Sequence, residues 1–302
     1  MFRLFVLGTT FLLLSVVTLL QQSKEEHPTI RNLEKINTRA NEDDPFLSPD
    51  GSQLLYSSDA SGKYSLYMAS RKNSSSPLEP ERMLDELATD GNVRSPFLLP
   101  KATDGWEYLY FATQYSTDRK SPNFDIYRVG RFDHKRPFQG NDSASPVQLV
   151  CTEEDEAYPW LATDAKELYF SRKTKTGWQL MRAVGKDPRI FTNLETVEIP
   201  TGFYHACLNR SGTKMITQGP LKAGEARQGL FLFKRPDTKK AWSEPIPLTS
   251  INSTEGTIGT CSPSLSFDTR FIYFASDRPG GKGGLDLYVV AVSEVEELKE
   301  AR

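Results

Sequence analysis

The same order of short motifs returns five times along the chain, and that repetition leaves few architectures open. The first copy runs Asp44-Pro45-Phe46-Leu47-Ser48-Pro49-Asp50-Gly51, then Gln53 to Asp59, then Tyr64-Ser65-Leu66-Tyr67. Later copies begin at Ser95-Pro96-Phe97, Tyr158-Pro159-Trp160, His205-Ala206-Cys207 and Ser262-Pro263-Ser264. Their anchor positions recur with a mean period of about 54 residues, the length of a four-stranded propeller blade. Within each copy an apolar strand runs into an Asp-Gly type turn. Such a turn supplies the positive φ or the Asx bond that a tight hairpin needs, and a Tyr/Phe-rich strand follows it. The second copy carries an insertion at Lys101–Thr103, and the fourth lacks both the Pro and the Asp.

The pattern predicts an all-β fold: a five-bladed β-propeller of four-stranded blades over residues 28–292, with six blades as the alternative count and a two-sheet sandwich as the rival. Outer strands are marked by Arg82-Met83-Leu84, Pro146 to Leu149, Thr196 to Ile199 and Trp242 to Leu248. After Val292 the chain becomes a charged tail, 293–302, with little strand character. The missing fifth outer strand is therefore assigned to Ile30–Asn37, upstream of the first copy, so that an N-terminal strand closes the ring and hides its sheet edges.

Ser48-Pro49-Asp50-Gly51 and, above all, Ile272 to Gly281 with Gly284-Leu285-Asp286-Leu287-Tyr288 resemble the WD-like propeller repeats of TolB and related exported bacterial proteins. The resemblance covers about residues 30 to 292. It implies a propeller, an extracytoplasmic setting and a scaffold that serves as a binding platform. TolB itself resembles a six-bladed propeller with a separate N-terminal α/β domain, which residues 21–40 are too short to encode.

Leu4 to Leu20 is an uncharged apolar run behind Arg3 and ahead of a polar stretch. Residues 1–27 read as a signal peptide or an N-terminal signal anchor with a short linker, which places the remainder outside the cytoplasm, periplasmic or secreted, with a membrane tether through residues 4–20 if uncleaved. Cys151, Cys207 and Cys261 are too sparse for a disulfide framework or a metal site and read as small buried hydrophobes, with one disulfide, Cys207 to Cys261, plus one free thiol as the alternative. The 37 basic and 39 acidic residues leave a net charge of −2, with no surplus to neutralise phosphates, so nucleic acid is excluded as a partner. The 33 Phe, Tyr and Trp side chains favour strands and can fill a core even though apolar residues make up only 38% of the chain.

Three histidines, at 27, 134 and 205, leave little material for a metal site or a triad, and neither a nucleophile elbow nor a phosphate-cradling loop is present. No cofactor and no metal is expected. In a propeller the first strand of each blade lines the central channel, so the residues just before each anchor cluster at one mouth. The candidate binding residues are accordingly Asp43, Asp44, Arg94, Glu156, Tyr158, Tyr204 and His205. The turn aspartates Asp50, Asp104, Asp164 and Asp268 read as turn formers. Asp59, Asp125, Asp277 and Asp286 read as braces between loops.

With no catalytic constellation in view, these features lead to a monomeric, non-enzymatic platform for an envelope protein, a peptide or a saccharide. The alternative is a carbohydrate-active enzyme, glycosidase- or sialidase-like, using Asp43, Asp44 and Glu156. It requires paired carboxyls held out of bulk water.

Overall fold

The computed structural model describes residues 28–99, 105–115, 123–133, 135–140 and 143–299. The expected signal or anchor at 1–27, with His27, and also His134 and the turn residue Asp104, lie outside the described residues.

Five four-stranded antiparallel sheets are present among the described residues. Blade one contains β2 (Glu42–Leu47), β3 (Gln53–Ser58), β4 (Ser65–Ser70) and β5 (Glu79–Met83). Blade two contains β6 (Val93–Leu99), β7 (Glu107–Thr113), β8 (Asp125–Arg131) and β9 (Ser145–Pro146). Blade three contains β10 (Glu156–Leu161), β11 (Glu167–Thr174), β12 (Gly177–Asp187) and β13 (Ile190–Thr196). Blade four contains β14 (Tyr204–Leu208), β15 (Lys214–Pro220), β16 (Gln228–Lys234) and β17 (Ile246–Pro247). In blade five β18 (Thr260–Leu265), β19 (Phe271–Ser276) and β20 (Asp286–Ala291) are completed by β1 (Arg31–Asn32), which pairs Arg31 with Val289 and Asn32 with Tyr288. Each innermost strand packs against the innermost strands of both neighbouring blades, so the ring is closed.

The closure is pinned by buried polar groups as well as by β1. Asn37 receives the Leu287 amide at 2.8 Å and donates to the Leu287 carbonyl at 2.9 Å, two bonds that span the chain from one end to the other. The segment after β20 has no strand, but it is not a free tail. Val295 and Leu298 are buried, and Glu297 receives the hydroxyls of Thr249 and Ser250. Blade three departs from the expected outline, since β12 runs on for 11 residues and its partner β13 begins at Ile190 rather than near Thr196.

The core lies between blades, where second and third strands stack their apolar faces. Tyr110, Phe111, Tyr169, Phe170, Phe233 and Phe274 are all essentially sealed from solvent. Each such ring contributes roughly 1.5–3 kcal/mol by leaving water. Turn chemistry is as the repeat implied: Asp50 accepts from the hydroxyls of Ser48 and Ser52, and Asp268 accepts from Ser266. Asp59 and Asp277 brace loops by receiving the backbone amides of Asn41 and of Thr257 to Gly259. The cysteines are free thiols, and Cys207 and Cys261 are buried.

Candidate functional site at the channel mouth

Every innermost strand breaks register once, near its start: between Asp43 and Phe46, Arg94 and Phe97, Ala157 and Trp160, Tyr204 and Cys207, and Cys261 and Ser264. The residue inside each break has positive φ: Asp44 at 50°, Ser95 at 56°, Tyr158 at 59°, His205 at 52° and Ser262 at 51°. None is glycine, and a left-handed conformation costs a side-chain-bearing residue about 1–2 kcal/mol. The strain is repeated five times at one level of the channel and re-aims one side chain per blade. In four blades the next residue is Pro, which needs no ladder donor, so the break removes no hydrogen bond there.

Bonds between blades hold these residues. Ser57 Oγ, on β3, donates to Asp44 Oδ2 at 2.9 Å and accepts the Ser95 amide of blade two at 3.1 Å. Ser171 Oγ, at the equivalent place on β11, accepts the His205 amide of blade four at 2.9 Å. Gln218 Oε1 accepts the Ser262 amide at 2.8 Å. Below this level Phe46, Phe97 and Trp160 meet at centroid distances of 4.6–6.0 Å and plug the channel. Only about 20 Å³ of space remains between the plug and the strained residues.

Above the plug sits an acid pair on one guanidinium. Arg94 bonds to Asp43 through Nη2 and to Asp44 through Nε, the latter at 3.1 Å. Its face lies 4.2 Å from the centre of the Tyr64 ring. The Asp43 side chain is 7% exposed and that of Asp44 only 1%, so Asp43 is the more open of the two. Their titrations are pushed apart. Burial, and then the neighbouring Asp44 carboxylate, push Asp43 up to about 6. Burial is the largest single influence on Asp44 and acts upward, but Arg94, His205 and the Ser57 hydroxyl together outweigh it and hold Asp44 below the usual carboxylate range. The pair therefore holds one proton between two carboxyls in mildly acidic solution, with Asp44 staying ionised.

Aromatic side chains surround the pair. The Tyr158 ring stacks on His205 at 4.1 Å and packs against Tyr204 and Trp178 at 5.7 and 5.6 Å, while Trp178 stacks on Tyr204 at 5.3 Å. Burial lowers the His205 imidazole to about 4, so the ring is neutral at physiological pH. Its Nδ1 stands 3.9 Å from Asp44 Oδ1 and has no hydrogen-bond partner among the described residues.

Six of the seven residues singled out from the sequence converge here: Asp43, Asp44, Arg94, Tyr158, Tyr204 and His205. Glu156 does not join them. Fully buried, it accepts the Thr152 amide at 2.9 Å, the Thr152 hydroxyl and Arg172 Nε at 2.8 Å, and so fastens the segment leading into blade three. Glu42 makes the same bonds to Thr38 in blade one. Sequence reasoning missed Ser57, Tyr64, Trp178 and Gln218. Ser57 and Ser171 occupy matching places in their copies, which was a usable signal; Tyr64 and Trp178 follow loops of unequal length, which obscured theirs. Among the described residues no group of three or more His, Cys, Asp or Glu comes together as a metal site.

No family model and no curated relative matches the chain. Solved structures do. The GH43_1 enzyme from Xanthomonas citri, complexed with xylotriose, superposes with a TM-score of 0.62 at 12% identity over 88% of this chain and 90% of that one. The GH43 endo-arabinanase from Bacillus licheniformis gives 0.58 at 9% identity over 85% and 96%. An α-L-arabinofuranosidase from Podospora anserina, complexed with cellotriose, gives 0.57 at 12% identity over 83% and 90%. At these identities the likeness establishes the fold, the five-bladed propeller. It corrects two expectations. The neighbours are glycoside hydrolases and not TolB or WD-repeat proteins, and a fold shared with enzymes runs against the expectation of a non-enzymatic platform. The repeat motifs misled because Asp-Gly turns and Tyr/Phe strands serve any four-stranded blade, whatever it binds.

Proposed function

We propose that the chain is a glycoside hydrolase acting on short saccharide chains at the channel mouth, with Asp43 as general acid and Asp44 as the ionised partner. The observation that carries this reading is the placement of two adjacent carboxyls, Asp43 and Asp44, on the one Arg94 guanidinium at the channel mouth, beside the Tyr158, Trp178 and Tyr204 rings. A glycosidase needs one carboxyl that gives its proton to the leaving oxygen and one that stays charged, either to bond to the ring carbon until water displaces it or to take a proton from the water that attacks that carbon. Asp43, raised to about 6 and more open to the mouth, suits the first task. Asp44, held low by Arg94, suits the second.

Arg94 plays two parts. It keeps Asp44 ionised, and it fixes both carboxyls in position. The rings of Tyr158, Trp178 and Tyr204 offer apolar faces on which a sugar ring can lie, while Lys173, over Trp178 at 5.1 Å, adds a donor at the rim. The saccharides bound in two of the neighbours, xylotriose and cellotriose, make pentose and glucose oligomers the first substrates to try.

The test is hydrolysis of arabino-, xylo- and cello-oligosaccharides by the full chain, its Asp43→Asn variant and its Asp44→Asn variant. Loss of general acid catalysis lowers the rate on the order of 10²–10⁴-fold. Both variants should retain the circular dichroism and melting behaviour of a folded propeller while losing turnover on that scale. Turnover by Asp43→Asn equal to wild type, or no cleavage of any of the three series by wild type, would refute the proposal.

A further inference from the structure

A second cavity lies at the other end of the ring, where the propeller closes. It is an open-sided cleft of about 680 Å³. One wall is the closing segment, residues 31–36. The second is blade one, with the β2–β3 turn and residues 71–78. The third is blade five, with the β18–β19 turn, Phe271, Tyr273 and Val289. The volume falls within the roughly 300–1,000 Å³ typical of small-molecule sites.

Charge in the cleft is unevenly satisfied. Arg270 is paired with Asp268 at 2.6 Å, and Lys35 with Glu79. Arg71 makes no ion pair among the described residues. It donates to two backbone carbonyls, Gly51 at 2.6 Å and Ser74 at 3.2 Å. Arg31, on β1, makes no ion pair there either, and it is exposed to the cleft. The buried Tyr273 lines the same cleft as Arg31 and Arg71. The carboxylates of Glu34 and Asp50 share the cleft, and the guanidiniums of Arg31 and Arg71, which make no ion pair among the described residues, are the groups fitted to hold a planar or tetrahedral oxyanion, which guanidinium forks recognise best. The rest of the wall is mixed, with Leu33, Leu47 and Leu78 apolar and Ser74 to Ser76 polar, as a hydroxylated ring requires.

We propose that this cleft is a second site, independent of the channel mouth, for a sugar-sized organic anion: a sugar acid or a sugar phosphate whose charged group lies between Arg31 and Arg71. Such a ligand touches the closing segment and both blades beside it, so binding fastens the ring and raises its melting temperature.

The experiment is thermal melting and calorimetric titration of the full chain with glucuronate, glucose 6-phosphate and neutral glucose, repeated with Arg31→Gln. That substitution removes an exposed charge and no hydrogen bond to the backbone. A rise in melting temperature with glucuronate or glucose 6-phosphate, absent with glucose and weakened at least tenfold in affinity by Arg31→Gln, supports the site. The better of the two anions identifies carboxylate or phosphate as the group held. Arg71→Lys, which keeps charge but loses the fork, should weaken binding too; if it does not fold, Arg31→Gln alone decides. Equal shifts with glucose, an undiminished shift in Arg31→Gln, or no binding of either anion at millimolar concentration would overturn the proposal.

Discussion

Replacing Arg94 by Met keeps the bulk of the side chain near Tyr64 and removes the cation that bonds both Asp43 and Asp44. Two carboxyls, 7% and 1% exposed, are then left side by side in the channel wall. Stripping one partner from a buried ion pair costs about 3–5 kcal/mol, because the remaining charge is uncompensated. For a ring of this size that lowers the melting temperature by on the order of 10 °C. The loss carries a pH signature. Free Asp titrates near 3.8, and without Arg94 both folded-state values rise above it. A folded carboxyl with a raised pKa destabilises the fold as pH climbs from the unfolded value to the folded one, and the penalty is complete above that. The deficit of Arg94→Met relative to wild type should therefore be full at pH 7.5 and shrink as pH falls towards 5. Adding Asp43→Asn to the variant should recover part of it at pH 7.5. Calorimetric melts across pH 5–7.5 measure this directly. A loss below about 1 kcal/mol, or one that does not change with pH, would refute the reasoning that Arg94 exists to neutralise the pair.

Hydrolysis that depends on a protonated Asp43 should fall as pH rises through about 6, read as a descending limb in the pH profile of kcat/KM. If the left-handed backbone at Ser95 is strained, Ser95→Gly should melt higher than Ser95→Ala by about 1 kcal/mol, with Ser95→Val lowest; equal melts would deny the strain. Trp160→Ala removes the half-buried ring packed against Phe46 and Phe97 and should cost about 2–3 kcal/mol in denaturant unfolding. A Cβ on Gly283 would collide with the Ala40 carbonyl oxygen at the ring closure, so Gly283→Ala should destabilise by about 1–3 kcal/mol and raise hydrogen exchange in β1 before other blades.

Much of this architecture is legible in the repeat. Blade count, the order of strands and the closing role of residues 30–37 all follow from anchors that recur at a steady period, because each copy must bury its faces against the next. The site was partly legible for the same reason: the residue before each anchor is the one inside the register break, which is how Asp44, Tyr158 and His205 come to meet. What the repeat does not show is the break itself. Asp43 and Asp44 read as loop carboxylates open to water, and on that reading no acid pair exists. The positive φ at Asp44 turns both onto Arg94 and buries them, and that burial is what separates their titrations. Glu156 failed in the opposite sense. It lies two residues before the strained position, on the side of β10 that faces Thr152 and Arg172, so its equivalent in blade one is Glu42 and not an acid of the pair.

Burial and Arg94 together divide the Asp43 and Asp44 titrations. The most direct measurement is the titration of the aspartate carboxyl carbons by nuclear magnetic resonance, assigned with Asp43→Asn and Asp44→Asn. One carboxyl titrating near 6, lost in Asp43→Asn, with the Asp44 signal remaining ionised below the usual carboxylate range, is the expected result. Two carboxyls titrating together near 4 would contradict it.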